Sequence, residues 1–273
     1  MSAPAARLSF GETVSESFGF FFDHLRMFFH LVTIPWILSL ALRIACASID
    51  EDSPAMALVE KALDFVPTIM FMVGWTRVVL LGQERLDRLP GLGWSGRETA
   101  FLVHLIKVGG ITFLLIAAFV LVVGTIDPAM LASNAPVDPD LARREAMAAP
   151  LGTGFVVSAL LAMRVSFGLA GTAVDVPFDP RRSWACSRGH GWTVIGVLFL
   201  VFFASGFASL LAALIPYRVV SGLGADLAGQ VIGWAAGILV SYAGAGIAAT
   251  AQAIIFRRLT GWREGVPLAT ARG

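Results

Sequence analysis

Six long apolar stretches, separated by loops whose charge alternates in sign, constrain this chain more than any other feature. They lie at about 28–47, 62–82, 101–124, 151–172, 192–214 and 229–256. A helix that crosses a bilayer core of about 30 Å needs roughly 20 apolar residues, and each run approaches or exceeds that length. A segment in lipid must satisfy its own backbone, which leaves helices and closed barrels. These runs are too long and too evenly apolar for the alternating strands of a barrel. The expected fold is therefore all-α: an integral membrane bundle of six transmembrane helices over 28–256. An amphipathic segment 1–27 precedes it and a tail 257–273 follows. Composition agrees, since only 14% of the residues are charged against about a quarter in soluble domains.

The loop charges give an orientation. The segments 1–27, 83–100, 173–191 and 257–273 hold 2, 3, 3 and 4 Arg. The opposite side holds Arg43, at the outer end of the first run, and Lys61, then Arg143 and Arg144, then Arg218. With 12 basic residues on one side against 5 on the other, the positive-inside rule places both termini in the cytoplasm. Acidic residues such as Asp50, Glu51, Asp127 and Asp138 gather on the opposite side. Eighteen of the 20 basic residues are Arg, and Ala and Gly are abundant, which suggests a bacterial source and an inner-membrane location. Trp94, Trp184, Trp192 and Trp262 fall in or beside the inner loops and suit an interfacial belt.

The stretch Ser9–Leu25 repeats apolar residues at three- and four-residue steps: Phe10, Val14, Phe18, Phe21, Phe22 and Leu25, opposite Glu12, Glu16 and Asp23. That pattern predicts an amphipathic helix on the cytoplasmic membrane surface, or one packed on a partner protein. Its early acids, ahead of an apolar run that starts near Met27, argue against a cleavable signal. Cys46 and Cys186 are expected on opposite sides of the membrane, unpaired. Ser95-Gly96-Arg97-Glu98 reads as a capping box before the third run. Asp179-Pro180 reads as the start of a short helix that Gly189 and Gly191 break.

Two further patterns single out residues. The last run places Gly229, Gly233, Gly237 and Ser241 four apart, followed by Ala245, Ala249 and Ala253. Small residues along one face let another backbone approach closely, within the bundle or in a homodimer. Arg77, Arg164 and Arg257 each stand toward the inner end of an even-numbered run, 87 and then 93 residues apart. A Trp and a further Arg follow each of them, Arg188 in the second case, as in three related hairpins. These four arginines are the candidate contacts for a lipid headgroup or ligand. Arg164 is the deepest, and the bland account of it is snorkelling, or pairing with helix-end carbonyls or Asp175.

Absent motifs narrow the function. Asp64 is the sole acid inside a run, whereas proton- or sodium-coupled transport commonly uses buried carboxylates. No H-E-x-x-H, G-x-S-x-G or phosphate-binding glycine loop is present, and His30, His104 and His190 have no metal-ligand spacing. No catalytic residue, cofactor, metal or nucleic-acid partner is expected.

Arg164-Val165-Ser166, Asp175 and Ser183-Trp184-Ala185-Cys186-Ser187-Arg188-Gly189-His190-Gly191-Trp192 resemble a group of bacterial six-helix membrane proteins of unknown role. These are similar to the membrane domain fused to some glycerophosphodiester phosphodiesterases. Phe256-Arg257-Arg258-Leu259 resembles the Tyr-Arg-x-Leu ending of the last span in that group. The chain departs at Leu169-Ala170-Gly171, where many relatives have Pro. The resemblance implies a six-span layout and, with the hydrolytic domain missing, no phosphodiesterase activity. The expected function is a non-enzymatic scaffold or accessory protein whose cytoplasmic rim meets anionic lipid or a protein partner. The alternative is a transporter or channel-like protein for a lipid or small amphiphile. Oligomeric state stays open.

Overall fold

The computed structural model describes residues 8–50, 53–83, 93–124 and 139–264. Much of the expected loops 125–150 and 83–100, and the end of the 257–273 tail, lie outside the described residues. The regular elements are α1 (Phe10–Asp23), α2 (Leu25–Asp50), α3 (Pro54–Leu81), α4 (Gly96–Gly124) and α5 (Pro139–Ser166). The short α6 (Gly168–Ala173) and α7 (Pro180–Cys186) follow, then α8 (Gly191–Ser221) and α9 (Asp226–Thr260).

Five segments are long and apolar enough to cross a membrane: Leu25–Ile49, Gly96–Ala118, Gly154–Ala173, Gly191–Ser221 and Asp226–Thr260. The second of the six expected spans falls on α3, which is not one of these five. It carries Glu60, Lys61, Asp64 and Arg77, and buries Pro67, Ile69, Phe71, Val73 and Trp75. The fourth expected span is broken at Phe167 into α5 and α6. The stretch 139–150, part of the expected outer loop, is helical and continues into the span as α5.

Capping side chains fix several starts. Ser53 accepts the Met56 N–H at 3.4 Å, with Pro54 at the first helical position. The Ser95 N–H donates to Glu98 Oε2 at 2.8 Å, the reciprocal half of a capping box. Asp179 Oδ1 accepts the Arg182 N–H at 2.7 Å ahead of Pro180. Gly189, at φ +81°, turns the chain after α7, while Gly191 opens α8 rather than ending a helix.

Helix α9 is the axis of the bundle. Its residues from Gly244 to Phe256 are almost all buried, against α1, α2, α3, α6 and α8. One aromatic cluster joins Phe21, Phe28, Phe71, Trp75 and Tyr242. Polar side chains inside it are paired, as lipid or a dry core requires. Trp75 Nε1–H donates to Thr250 Oγ1 at 2.9 Å, and the Ser39 and Tyr242 hydroxyls lie 2.8 Å apart. A second cluster, with Phe167, Phe178, Val194, Leu198 and Phe256, closes the end that carries the N-terminus of α1 and the C-terminus of α9. By contrast α4 and α8 expose large apolar side chains, Phe113 and Phe203 among them.

Helix α1 packs lengthwise on α9 and touches α8. Its buried positions are Thr13, Ser17 and Phe21, while Phe10 and Phe22 of the expected apolar face stay exposed. The two hydroxyls can be buried because each bonds four residues back, to the carbonyls of Ser9 and Thr13 at 2.7 and 2.6 Å. Their small size brings α1 close to α9. Trp262, expected in the interfacial belt, is buried instead. Gly261 at φ +66° turns the chain back and sets the indole against Phe256.

Candidate functional site

The end of the bundle that carries the start of α1 and the end of α9 gathers the basic side chains singled out by sequence. Arg164, on the last turn of α5, reaches over the α7–α8 turn. Its guanidinium carbon sits 3.7 Å from the centre of the Trp184 ring, and Nε donates to Ser187 Oγ at 3.0 Å. Ser187 Oγ donates onward to the Trp184 carbonyl. A Cβ on Gly191 would lie 2.8 Å from Arg164 Nε, so the glycine there makes room for the arginine. Arg164, Trp184, Ser187 and Gly191 thus form one clamp, with a cation–π contact at its centre. Asp175, expected as a partner of Arg164, is not one. Its backbone is left-handed at φ +62°, and it receives other arginines.

Those arginines come from α3 and α4. Arg97 Nε lies 3.0 and 2.8 Å from the two Asp175 oxygens. Arg77 Nη1 lies 3.7 Å from Asp175 Oδ2 and donates to the Ala173 carbonyl at 3.2 Å. One carboxylate therefore ties the ends of α3, α4 and α6. Arg257 and Arg258 both hold Glu16 of α1, at 3.0 and 2.6 Å, and Arg258 also lies 3.6 Å from Glu12. Arg188 is exposed. Arg77, Arg164 and Arg257, similar in sequence setting, thus contact Asp175, Trp184 and Glu16 in turn. Because the Asp175 carboxylate is more than half exposed, Asp175→Asn should lower stability by only about 1 kcal/mol. Asn suits the left-handed backbone, so thermal unfolding in detergent isolates the charge. An unchanged midpoint would remove Asp175 from the joint.

The small-residue face of α9 is filled by α8. A Cβ on Gly229 would meet Ser221 Oγ at 2.8 Å, one on Gly233 the Ala213 carbonyl oxygen at 2.6 Å, and one on Gly237 the Ala213 Cβ at 2.8 Å. Ser241 Oγ lies 2.7 Å from Ser209 Oγ, whose hydroxyl also bonds the Gly237 carbonyl. The glycines of the stripe seat α8, while Ser241 stays exposed.

Sequence reasoning passed over a cleft of about 1100 Å³ beside this joint, between α4 and the α6–α7 connection. Arg97, Lys107, Arg181 and Arg182 line it together with Asp175 and Asp179, an excess of positive charge. Lys107 is exposed, one of two lysines in the chain, and stands inside an apolar segment. A cation at mid-helix in lipid carries a penalty of about 2.5–3.5 kcal/mol, reduced by snorkelling. His104 stands one turn before it, 6% exposed. Its Nδ1 is 3.1 Å from Thr172 Oγ1, and Nε2 is buried without a hydrogen-bond partner among the described residues. A Cβ on Gly168 would fall on Ser183 Oγ and within 3.2 Å of the His104 ring, so the glycine lets α6 close behind the histidine. Arg182 stacks on Phe178 at 5.2 Å. Burial pushes the Cys186 thiol above its ordinary pKa, with Arg182 opposing, so it stays protonated at neutral pH and is a poor nucleophile. The sequence signal for the cleft was the pair His104 and Lys107, three residues apart in an apolar run.

Among the described residues no group of three His, Cys, Asp or Glu could hold a metal ion. No protein-family model, curated protein or solved structure matches the chain.

Proposed function

We propose that this chain is a six-span bacterial inner-membrane protein with both termini in the cytoplasm, and that it works as a non-enzymatic scaffold or accessory protein meeting anionic lipid at its cytoplasmic rim. The observation that carries the reading is the use made of the basic side chains. Arg77, Arg97, Arg164, Arg257 and Arg258 knit one end of the bundle together through Asp175, Trp184 and Glu16. A rim built this way is rigid, and it holds Arg188, Arg181 and Lys107 exposed at its edge.

Helix α3 is the sixth span. Its 28 residues extend about 42 Å, enough for a bilayer core, and its charges sit toward its two ends, beside Arg43 at one and Asp175 at the other. Helix α1, anchored by Glu16, turns Phe10 and Phe22 outward, toward the headgroups. The transporter alternative has less support. It calls for a polar path converging on Arg164, whereas that side chain is stacked on Trp184 with Gly191 against it. Phe71 and Trp75 fill the interior beside α9.

The orientation has a direct test. A periplasm-active reporter fused after Gly273 should be inactive, and the same reporter placed after Gly222, between α8 and α9, should be active. The opposite pattern would overturn the topology.

A further inference from the structure

We infer that the cleft between α4 and the α6–α7 connection binds the phosphate of an anionic lipid headgroup, gripped by Lys107 and Arg181 with His104 at its floor. The inference rests on the membrane-embedded, lipid-contacting reading above and adds the site and the ligand chemistry.

Three observations carry it. The first is which charges are already in use. Asp175 is occupied by Arg97 and Arg77, and Asp179 Oδ1 accepts the backbone N–H of Arg182 at the start of α7. That leaves the cleft with more cation than its own carboxylates match. The second is Lys107. It stands six residues into the apolar run that begins near residue 101, about 9 Å along the axis and within snorkelling reach of the headgroups, and both it and Ile106, 61% exposed, are open among the described residues. A cation placed there meets the anions that lie at the edge of the hydrocarbon, which are headgroup phosphates. A soluble anion would not need a lysine placed among lipid-facing side chains. The third is His104, which is 6% exposed, lines the cleft and whose Nε2 makes no hydrogen bond of good geometry among the described residues. A buried nitrogen in that condition is unfavourable unless something supplies its hydrogen bond, and a phosphate oxygen or the proton of a headgroup hydroxyl does so. The walls suit the rest of a lipid: Val103, Ala100 and Pro177 line the opening with apolar surface, where a glycerol backbone and the first acyl carbons would lie.

The test uses the full chain purified in detergent, with bound lipid counted by native mass spectrometry. Phosphatidylglycerol should bind in preference to phosphatidylcholine. The double variant Lys107→Gln/Arg181→Gln should lose roughly fivefold in affinity for each charge removed, about 25-fold together. Arg218→Gln, an exposed change at the far end of α8, should leave binding within about twofold. Circular dichroism melts of both variants identify any loss of fold. If unfolding accompanies the loss in the double variant, the single changes Lys107→Gln and Arg181→Gln decide, each expected to lose about fivefold. Wild-type preference for phosphatidylglycerol that survives undiminished in the folded variants would overturn the cleft while leaving the lipid-contacting rim intact. No preference in the wild type would overturn the rim reading itself. Displacement of the lipid by millimolar inorganic phosphate or glycerol phosphate would make the ligand a soluble anion and overturn the membrane source.

Discussion

Replacing Gly233 with Val should abolish the folded bundle or lower its stability by about 3 kcal/mol, the upper end of ordinary overpacking penalties. The reason is the neighbour. A Cβ at this position would lie 2.6 Å from the Ala213 carbonyl oxygen and 3.2 Å from the Tyr217 Cβ. A backbone carbonyl within a helix cannot rotate aside as a side chain can, so α8 and α9 would have to separate. Separation undoes the Ser209–Ser241 hydrogen bond and the contact at Gly237 together. In lipid such close packing and interhelical bonding hold helices together, since the hydrophobic effect does not favour one apolar neighbour over another. Even Gly233→Ala should destabilise. Gly206 gives the contrast. It lies in α8 with nothing within 4 Å of an added Cβ, so Gly206→Ala should be neutral or stabilising by up to about 1 kcal/mol from helix propensity alone. Thermal unfolding in a single detergent separates the two. Equal midpoints for Gly233→Ala and Gly206→Ala would mean that the two helices do not meet at this face.

The stripe on α9 was legible in the sequence because it is a one-dimensional pattern, four residues apart on one helix. What it packs against was not, since spacing says that a face is small and not which helix fills it. The apolar runs at α2, α4, α8 and α9 were equally plain, being long and uninterrupted. The break at Phe167 was hidden. It follows from Gly168 fitting under Ser183 and His104, a contact between residues 15 and 64 positions away in the chain. Helix α1 was visible as a helix, but the small residues that pack it on α9 were not. Counting apolar residues favours Phe10 and Phe22, whereas close packing on α9 selects the small Thr13 and Ser17, whose hydroxyls are satisfied within the helix. The arginines were found by residue type. Their partners were set by turns, above all by the left-handed backbone at Asp175 that faces the carboxylate toward Arg77 and Arg97. The cleft was the least legible part. Its cations come from α4 and from a connection more than 70 residues later, and only folding brings them to one place.

Trp75→Ala should be the most damaging single change in the aromatic cluster, by about 3–5 kcal/mol. The indole is fully buried and touches every element that meets there. Phe20 and Phe21 of α1 lie 6.1 and 5.7 Å from it between ring centres, Phe28 of α2 lies at 6.1 Å, and Phe71 of α3 at 6.2 Å. Its N–H supplies a hydrogen bond to Thr250 on α9. Removal opens a cavity at the point where α1 leaves α9 and joins α2, and the surrounding rings belong to three helices that cannot all shift to refill it. Trp75→Phe divides the effect. It keeps most of the ring packing and loses the bond to Thr250, so its expected loss is smaller, about 1 kcal/mol for the unmade hydrogen bond plus the volume difference. Helix α1 should respond first, because beyond this cluster its main tie is Glu16, at mid-helix, to Arg257 and Arg258. Limited proteolysis should therefore cut Trp75→Ala within α1 at a temperature where the wild type resists, and adding Glu16→Gln should release the helix at a lower temperature still. The two ties sit about one turn apart on one helix of 14 residues, so removing both should exceed the sum of the single changes. If the double variant proved no more susceptible than Trp75→Ala alone, α1 would be held by contacts other than these two.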